Sequence, residues 1–571
     1  MRHWFISFLL FFICQQSFAA PPAILSKNAI YSPTVAKQAM VVTSDKIASE
    51  IGLQVLQQGG NAVDAAVTIG FTLAVTLPRA GNIGGGGFML IHDAKTGNVV
   101  AVDYREKAPR NAHKDMYLDK AGNPDNQLSR FSHLAVGVPG TVAGLALALE
   151  KYGSLSLAQA LQPAIKLAEK GFPMHHVLRD SLLRGEKRLK KSAETSRLFF
   201  KEDGSAYALG EQFVQPELAS TLKQIAEQGV SAFYEGEIAK KIAADMAANN
   251  GLITLEDLKA YRPAIRQPIH GTYRGYDVYS MSPPSSGGVH IVQILNILEQ
   301  FSIKEFGHNS QASLHVMAEA MKRAYADRSE YLGDTDFVNV PLKGLTSKAY
   351  AKSLATQIPL DKATPSKSIA PANPLPYESN ETTHFSVIDK AGNAVANTYT
   401  LNFSFGSGLT AKGTGFLLNN EMDDFSAKAG VPNAYGLIGN AANAIAPEKR
   451  MLSSMSPTIV MHNQKPFLVT GSPGGSRIIT TTLQVIMNVI DHGMNIQEAV
   501  NAPRVHHQWL PDEIRIEKGI SIDTQRLLTE MGHTMVEKNP MGSAASILID
   551  AATHTYYGAA DPRRQGFAVG Y

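Results

Sequence analysis

Thr382 lies between two stretches of opposite texture: a polar, proline-rich run over residues 363–380, and an alternating run that continues Thr383-His384-Phe385-Ser386-Val387. Such a border is where cutting a chain costs the least packing. Inside a chain a threonine hydroxyl has no base at hand, but at a new N-terminus it gains an α-amine with a reference pKa of roughly 7.7–8.0. That amine can take the hydroxyl proton near neutral pH, so one residue supplies both nucleophile and base. A cut between Glu381 and Thr382 would create the group. The residues that follow read as a hairpin. A three-residue loop Lys390-Ala391-Gly392 puts glycine at the left-handed position, pairs Asp389 with Asn393, and sets Thr400 opposite Thr382 on one face. A slip of one residue would put the two threonines on opposite faces. Taken alone, the local pattern favours an ordinary strand start.

Other residues have the chemistry to hold a substrate that carries both an ammonium and a carboxylate. Asn402 shares the face of Thr400, and Glu421 and Asp424, within Asn419-Asn420-Glu421-Met422-Asp423-Asp424, are carboxylates suited to an ammonium. Arg105, with the pair Ser453-Ser454, offers donors suited to a carboxylate. Gly471-Ser472-Pro473-Gly474-Gly475-Ser476-Arg477 offers backbone amides for an oxyanion. Each has a plain alternative when taken singly: Arg105 as a surface ion pair, the serines as turn formers, the glycines as a tight turn.

The chain that must position these residues has 571 of them, 44% hydrophobic and 18% charged, with a formal net charge of +3. This is a globular composition, too long for one ordinary domain, and its charge gives no reason to expect nucleic acid. Residues 1–20 read as a secretory signal peptide, with Arg2 ahead of an apolar core over 4–14 and Ser17-Phe18-Ala19 as the cleavage site. The apolar run is shorter than the roughly 20 residues a membrane span needs. The single cysteine, Cys14, falls inside this segment. The mature chain is therefore expected to be soluble, exported and free of disulfides, resting on a large core.

Apolar periodicity predicts helix over 46–77, interrupted at Gly59-Gly60-Asn61, and further helices stopping at Gly171, Gly229 and Gly333. Strands are expected at 385–389, 394–401, 456–461, 466–470 and 545–549, and helices over 480–493 and from 496 onward. Helices and antiparallel strands in separate runs point to an α+β layered fold. Residues 363–380 form the one clear linker. Gly84-Gly85-Gly86-Gly87 is followed by no Gly-Lys-Ser/Thr, and reads as a tight backbone turn beneath a buried site. His506-His507 would point apart on a strand and have no acidic or cysteine partner at ligand spacing, so no metal is expected. No cofactor is expected either.

Together these residues closely resemble the γ-glutamyltranspeptidases of the N-terminal-nucleophile hydrolase superfamily. The resemblance covers nearly the whole mature chain. It is carried by Glu381-Thr382-Thr383-His384, Leu418-Asn419-Asn420-Glu421-Met422-Asp423-Asp424-Phe425, Ser453-Ser454-Met455-Ser456-Pro457-Thr458 and 471–477, with Gly84-Gly85-Gly86-Gly87-Phe88, Asp103-Tyr104-Arg105-Glu106 and Gly137-Val138-Pro139-Gly140 in the first half. It implies a four-layer αββα sandwich built jointly by a large subunit, 21–381, and a small one, 382–571, cut from one precursor. It further implies that Thr382 attacks the γ-carbonyl of glutathione or another γ-glutamyl compound, passing the acyl group to water or to an amino acid or dipeptide. Thr400 would support the nucleophile and Gly474 and Gly475 the oxyanion. Arg105, Ser453 and Ser454 would hold the α-carboxylate, and Asn402, Glu421 and Asp424 the α-amino end. Glu421 is a glutamine in some bacterial members, and the charged form still suits an ammonium. Residues 430–436 resemble the lid of the family, with Tyr435 as the gate. A periplasmic location is expected. The rival readings are a glutaryl-type cephalosporin acylase of the same superfamily and an unprocessed, non-catalytic binding protein. A serine hydrolase lacks its Gly-x-Ser-x-Gly elbow here.

Overall fold

The computed structural model describes residues 30–371, 383–434 and 436–571. The signal segment 1–20, the cleavage pair Glu381-Thr382 and the gate Tyr435 lie outside the described residues.

Two seven-stranded sheets face each other. One runs, edge to edge, Phe567–Gly570, Met40–Thr43, Thr383–Ile388, Ala394–Thr400, Gly86–His92, Val99–Tyr104 and Ala264–Arg266. The other runs Thr34–Ala36, Thr555–Ala560, Ala545–Asp550, Lys465–Thr470, Thr458–His462, Tyr276–Ser280 and Ile269–Tyr273. Alternation along the strands decides which side chains enter which layer. Met40, Val42, Phe88, Leu90 and Ala396 meet Ile459, Val469 and Ile547 between the sheets. Their neighbours Val41, Met89, Ile91, Val395 and Tyr399 point outward into a helical layer that includes Lys46–Gln57, Ala62–Thr76, Thr141–Tyr152 and Leu157–Lys170. On the far side Val460, Leu468 and Leu548 pack on Gly287–Leu298, Gln311–Tyr331 and Arg477–Ile490. This is the αββα sandwich.

Ala62–Thr76 is buried along its whole length, which explains why its sequence is apolar all round rather than striped. Asn61 caps it, accepting from the amides of Val63 and Asp64. Its first amide, that of Ala62, donates to Asp389 at 2.9 Å and ties the helix to the turn of the expected hairpin. The stops at Gly171 and Gly229 fall where expected, after Leu157–Lys170 and Pro216–Gln228.

Two expectations are corrected. Helices and strands do not occupy separate runs, because both sheets mix strands from the two sides of residue 382. The linker expected from residue 363 is tied down as far as Ile369. Ala363 donates to Met531 O at 2.7 Å and Thr364 to Glu319 at 3.0 Å, while the Trp509 indole N–H donates to Ser366 O at 2.8 Å and Ile369 O at 3.1 Å.

Candidate active site

The hairpin sets the first wall. Its strands pair Ile388 with Ala394 through to Thr383 with Tyr399, the register deduced from the loop. Gly392 has φ 89°, in the left-handed region, and Asp389 donates to Asn393 O at 3.1 Å. Thr398 and Thr400 share the parity of Ala394 and Ala396, which face the gap between the sheets. The carbonyl of Thr400 accepts from Asn82 Nδ2 at 2.8 Å and its Oγ1 accepts from the amide of Asn402 at 2.8 Å. With Oγ1 accepting there, its own hydrogen is left to donate elsewhere.

The tetraglycine run packs beneath the hairpin rather than forming a phosphate loop: a Cβ on Gly85 would stand 1.9 Å from the carbonyl oxygen of Thr400. Only glycine lets the two backbones approach this closely.

The second wall is the short turn Glu421–Asp424. Asn402, at φ 73°, donates from Nδ2 to Asn420 O at 3.0 Å. Asn419 accepts from the amides of Glu421 and Gly137 at 3.0 and 2.9 Å. These bonds deliver two carboxylates to Arg105, at the end of the strand Val99–Tyr104. Arg105 is no surface residue: it is fully buried. Its Nη2 donates to Asp424 at 2.6 Å and to Leu452 O at 3.2 Å, its Nε to Met451 O at 3.0 Å, and its Nη1 to Glu421 and, at 3.5 Å, Glu106. The two ends expected to grip opposite ends of a substrate are thus in contact with each other, and Glu106 joins them. Burial by itself would lower the affinity of the guanidinium for its proton, but Glu421, Glu106 and Asp424 outweigh it and hold that affinity above the usual range. Burial pushes Glu106 up to about 7 and Glu421 well above the ordinary carboxylate range, with Arg105 opposing both. One oxygen each of Glu106 and Glu421 is buried without a hydrogen-bond partner.

The Met451 and Leu452 carbonyls that hold Arg105 lead directly into Ser453 and Ser454. The carbonyl of Ser453 accepts from the amide and hydroxyl of Ser286 at 2.7 and 2.9 Å. Ser454 Oγ accepts from Arg328 at 2.8 Å. Arg328 lies buried on Gln311–Tyr331 and supplies a second cation there; a lone arginine within a long helical run carries no sequence signal of that role.

The third wall is the loop between the strand Lys465–Thr470 and the helix Arg477–Ile490, where Gly474 and Gly475 have φ 146° and 64°. Among the described residues neither glycine amide has a hydrogen-bond partner. A free pair of N–H groups ahead of a helix N-terminus is suited to a developing negative charge.

His384 joins this loop to the hairpin and went unremarked as a spacer in the sequence. It is fully buried; Nδ1 lies 2.9 Å from Thr398 Oγ1 and Nε2 3.0 Å from Ser386 Oγ. Ser386 spends its hydrogen on Ala545 O at 2.9 Å. It must then accept from Nε2–H, which leaves Nδ1 to accept from Thr398. Burial pulls the ring down to about 3, so it is neutral. A Cβ on Gly471 would lie 2.6 Å from this ring, so the imidazole spaces the two sheets directly behind the glycine loop.

In the segment expected to be the lid, the described residues on either side of position 435 pair through their backbones. Gly430 donates to Gly439 O at 3.0 Å and Asn433 to Leu437 O at 2.9 Å. A Cβ on Gly436 would lie 3.3 Å from Gln508, whose side chain accepts from Ser476 at 2.9 Å, so the segment reaches the edge of the glycine loop. His506 and His507 do point apart, to Thr480 at 2.9 Å and Asp512 at 3.2 Å. Among the described residues no group of three His, Cys, Asp or Glu could hold a metal.

An αββα sandwich with an amide-lined loop facing a threonine-bearing hairpin is the architecture of the N-terminal-nucleophile hydrolases. The chain belongs to the gamma-glutamyltranspeptidase family, whose profile residues 48–571 match. It is 56% identical to a glutathione hydrolase proenzyme of Escherichia coli K12, over 99% of this chain and 97% of that protein. Among solved structures it resembles a cephalosporin acylase from Bacillus halodurans, with TM-score 0.85 and 29% identity over 97% of this chain and 98% of that one. It also resembles Helicobacter pylori gamma-glutamyltranspeptidase, with TM-score 0.57 and 50% identity over 58% of this chain and 94% of that one.

Proposed function

We propose that this protein is an autoprocessed γ-glutamyltransferase and glutathione hydrolase with Thr382 as its nucleophile. In processing, the Thr382 hydroxyl attacks the Glu381 carbonyl, the acyl group moves from nitrogen to oxygen, and water hydrolyses the ester. The products are the chains 21–381 and 382–571, the second beginning with a free threonine amine. In turnover that amine takes the Thr382 hydroxyl proton as Oγ attacks the γ-carbonyl. The Gly474 and Gly475 amides receive the oxyanion, and the proton passes to the departing amine of cysteinylglycine. Water, or the amine of an amino acid or dipeptide, then attacks the γ-glutamyl ester and frees Thr382. One pair beyond the observed register, Thr400 would stand opposite Thr382, where its free hydroxyl hydrogen could orient Oγ. Tyr435, by the family resemblance the gate of the lid, would close over the bound donor and favour small ones.

The observation that carries this reading is the buried cluster of Arg105 with Glu421 and Asp424, joined to Thr400 through Asn402 and Asn420. It suits an α-amino acid head: the ligand carboxylate takes donors from Arg105, Ser453 and Ser454, while its ammonium meets the freed carboxylates and Asn402. A glutaryl group has no ammonium and would leave those buried carboxylates without a cation, at a cost of several kcal/mol. Among the described residues no helix is long and apolar enough to cross a membrane; export to the periplasm is part of the proposal.

The test is the protein on a denaturing gel. Wild type is expected as two bands, the smaller starting at Thr382 by N-terminal sequencing, and Thr382→Ala as one uncut, inactive band. Any other start removes the nucleophile assignment. Faster turnover of a glutaryl anilide than of a γ-glutamyl anilide would move the protein to the acylases.

A further inference from the structure

At the end of the inter-sheet layer opposite the glycine loop, a cleft of about 370 Å³ lies among the turns 93–98, 389–393, 462–465 and 550–555. This is within the size range of small-molecule sites, which are mostly apolar with a few placed polar groups. Ile388, Ile549 and Tyr556 belong to the buried inter-sheet core and line it with the edges they show. The Tyr556 hydroxyl is already used, donating to Asp389 O at 3.2 Å, so its ring is what the cleft meets.

One polar atom there is unsatisfied. His92 is only 3% exposed and lines the cleft. Its Nδ1 lies 3.1 Å from the Gly392 carbonyl, so Nδ1 carries the hydrogen. Nε2 is buried and has no partner. Because burial lowers the proton affinity of the ring, Nε2 is a lone-pair acceptor, and a buried acceptor without a partner is costly until a donor reaches it. At the rim stand two exposed cations, Lys390 and Lys465, which form no ion pair with any described residue.

We propose that this cleft is a second ligand site, taking a small carboxylic acid with a flat apolar body and a hydroxyl or amide N–H donor. The donor seats on His92 Nε2, the body lies on Ile388, Ile549 and Tyr556, and the carboxylate sits between Lys390 and Lys465. The site is remote from Arg105 and the glycine loop, and needs no γ-glutamyl group.

The probe is 4-hydroxyphenylacetate, titrated into the full-length protein by calorimetry, with phenylacetate as the analogue lacking the donor. Saturable binding is expected, about tenfold tighter for the hydroxylated acid. That preference is expected to vanish in His92→Phe, and both acids should weaken severalfold in the double variant Lys390→Ala/Lys465→Ala. No saturation by about 10 mM, or a hydroxyl preference that survives His92→Phe, overturns the proposal. Should His92→Phe fail to fold, the lysine variant, altered only at exposed positions, carries the test: unchanged affinity there overturns it as well.

Discussion

Arg105 meets more negative charge than it can balance. Glu106 and Glu421 share one guanidinium nitrogen while Asp424 takes the other, and two carboxylates so placed resist ionising together. On the proposed reading, the α-ammonium of a γ-glutamyl donor would supply the missing positive charge. The consequence with pH follows from Glu106. Its pKa is raised by burial from 4.5 to about 7. Between those values the folded enzyme binds more protons than the unfolded chain, so this group makes stability fall as pH rises. An arriving ammonium favours the ionised form, so donor binding releases a proton and KM for a γ-glutamyl anilide should fall between about pH 6 and 8, severalfold. Glu106→Gln is expected to flatten both trends, read from KM against pH and from urea titrations at the two ends of the range. A KM slope that survives the substitution would place the titrating group elsewhere.

The hairpin Thr383–Ile388 with Ala394–Thr400 could be registered in advance because its loop chemistry is local: three residues with glycine at the left-handed position allow one pairing. What the hairpin packs against could not be. His384 finds Thr398 across the hairpin, and through Ser386 and Gly471 the opposite sheet. No spacing in the chain encodes that meeting. His384→Phe keeps the bulk but strips Thr398 and Ser386 of their partner, a loss of about 2–3 kcal/mol from urea unfolding. Because the ring stays neutral down to about 3, while an unfolded histidine protonates near 6.5, wild type should lose stability from this group as pH falls through that window. The variant should not. An acid limb of unfolding that is the same in both would leave His384 a filler rather than a hydrogen-bonded spacer. The lower end of the expected linker errs for the same reason: residues 363–369 look loose by composition, yet Glu319, Trp509 and Met531 hold them from elsewhere.

The two products of the proposed cut cannot part without dismantling both sheets. Gly86–His92 pairs with Ala394–Thr400, Met40–Thr43 lies between Phe567–Gly570 and Thr383–Ile388, and Tyr276–Ser280 pairs with Thr458–His462. Separation would expose the apolar layer between the sheets and break ladder hydrogen bonds on both, which amounts to unfolding the domain. The processed protein should therefore run as two bands on a denaturing gel yet elute as a single particle on gel filtration, parting only with global unfolding in denaturant. A small chain recovered folded on its own would contradict the interleaved topology. Fold class was legible because helix stops and strand alternation are local signals; that strands from the two sides of residue 382 interleave was not, since strand partners are chosen by apolar faces meeting in three dimensions.

The sequence by itself determined which chemistry to expect: a threonine that a cut would turn into an N-terminus, its hairpin partner, a set of acids and donors suited to an amino acid head, and glycine amides suited to an oxyanion. These depend on residue type and short-range geometry. The tertiary structure alone decided that Arg105, Glu421, Asp424 and Glu106 share one buried, charge-coupled cluster, that Gly85 exists so that Thr400 can come close, and that His384 spaces the sheets behind the glycine loop. Each of those depends on groups far apart in the chain being driven from water into one place, where distance and burial, rather than residue type, set how strongly they act on one another.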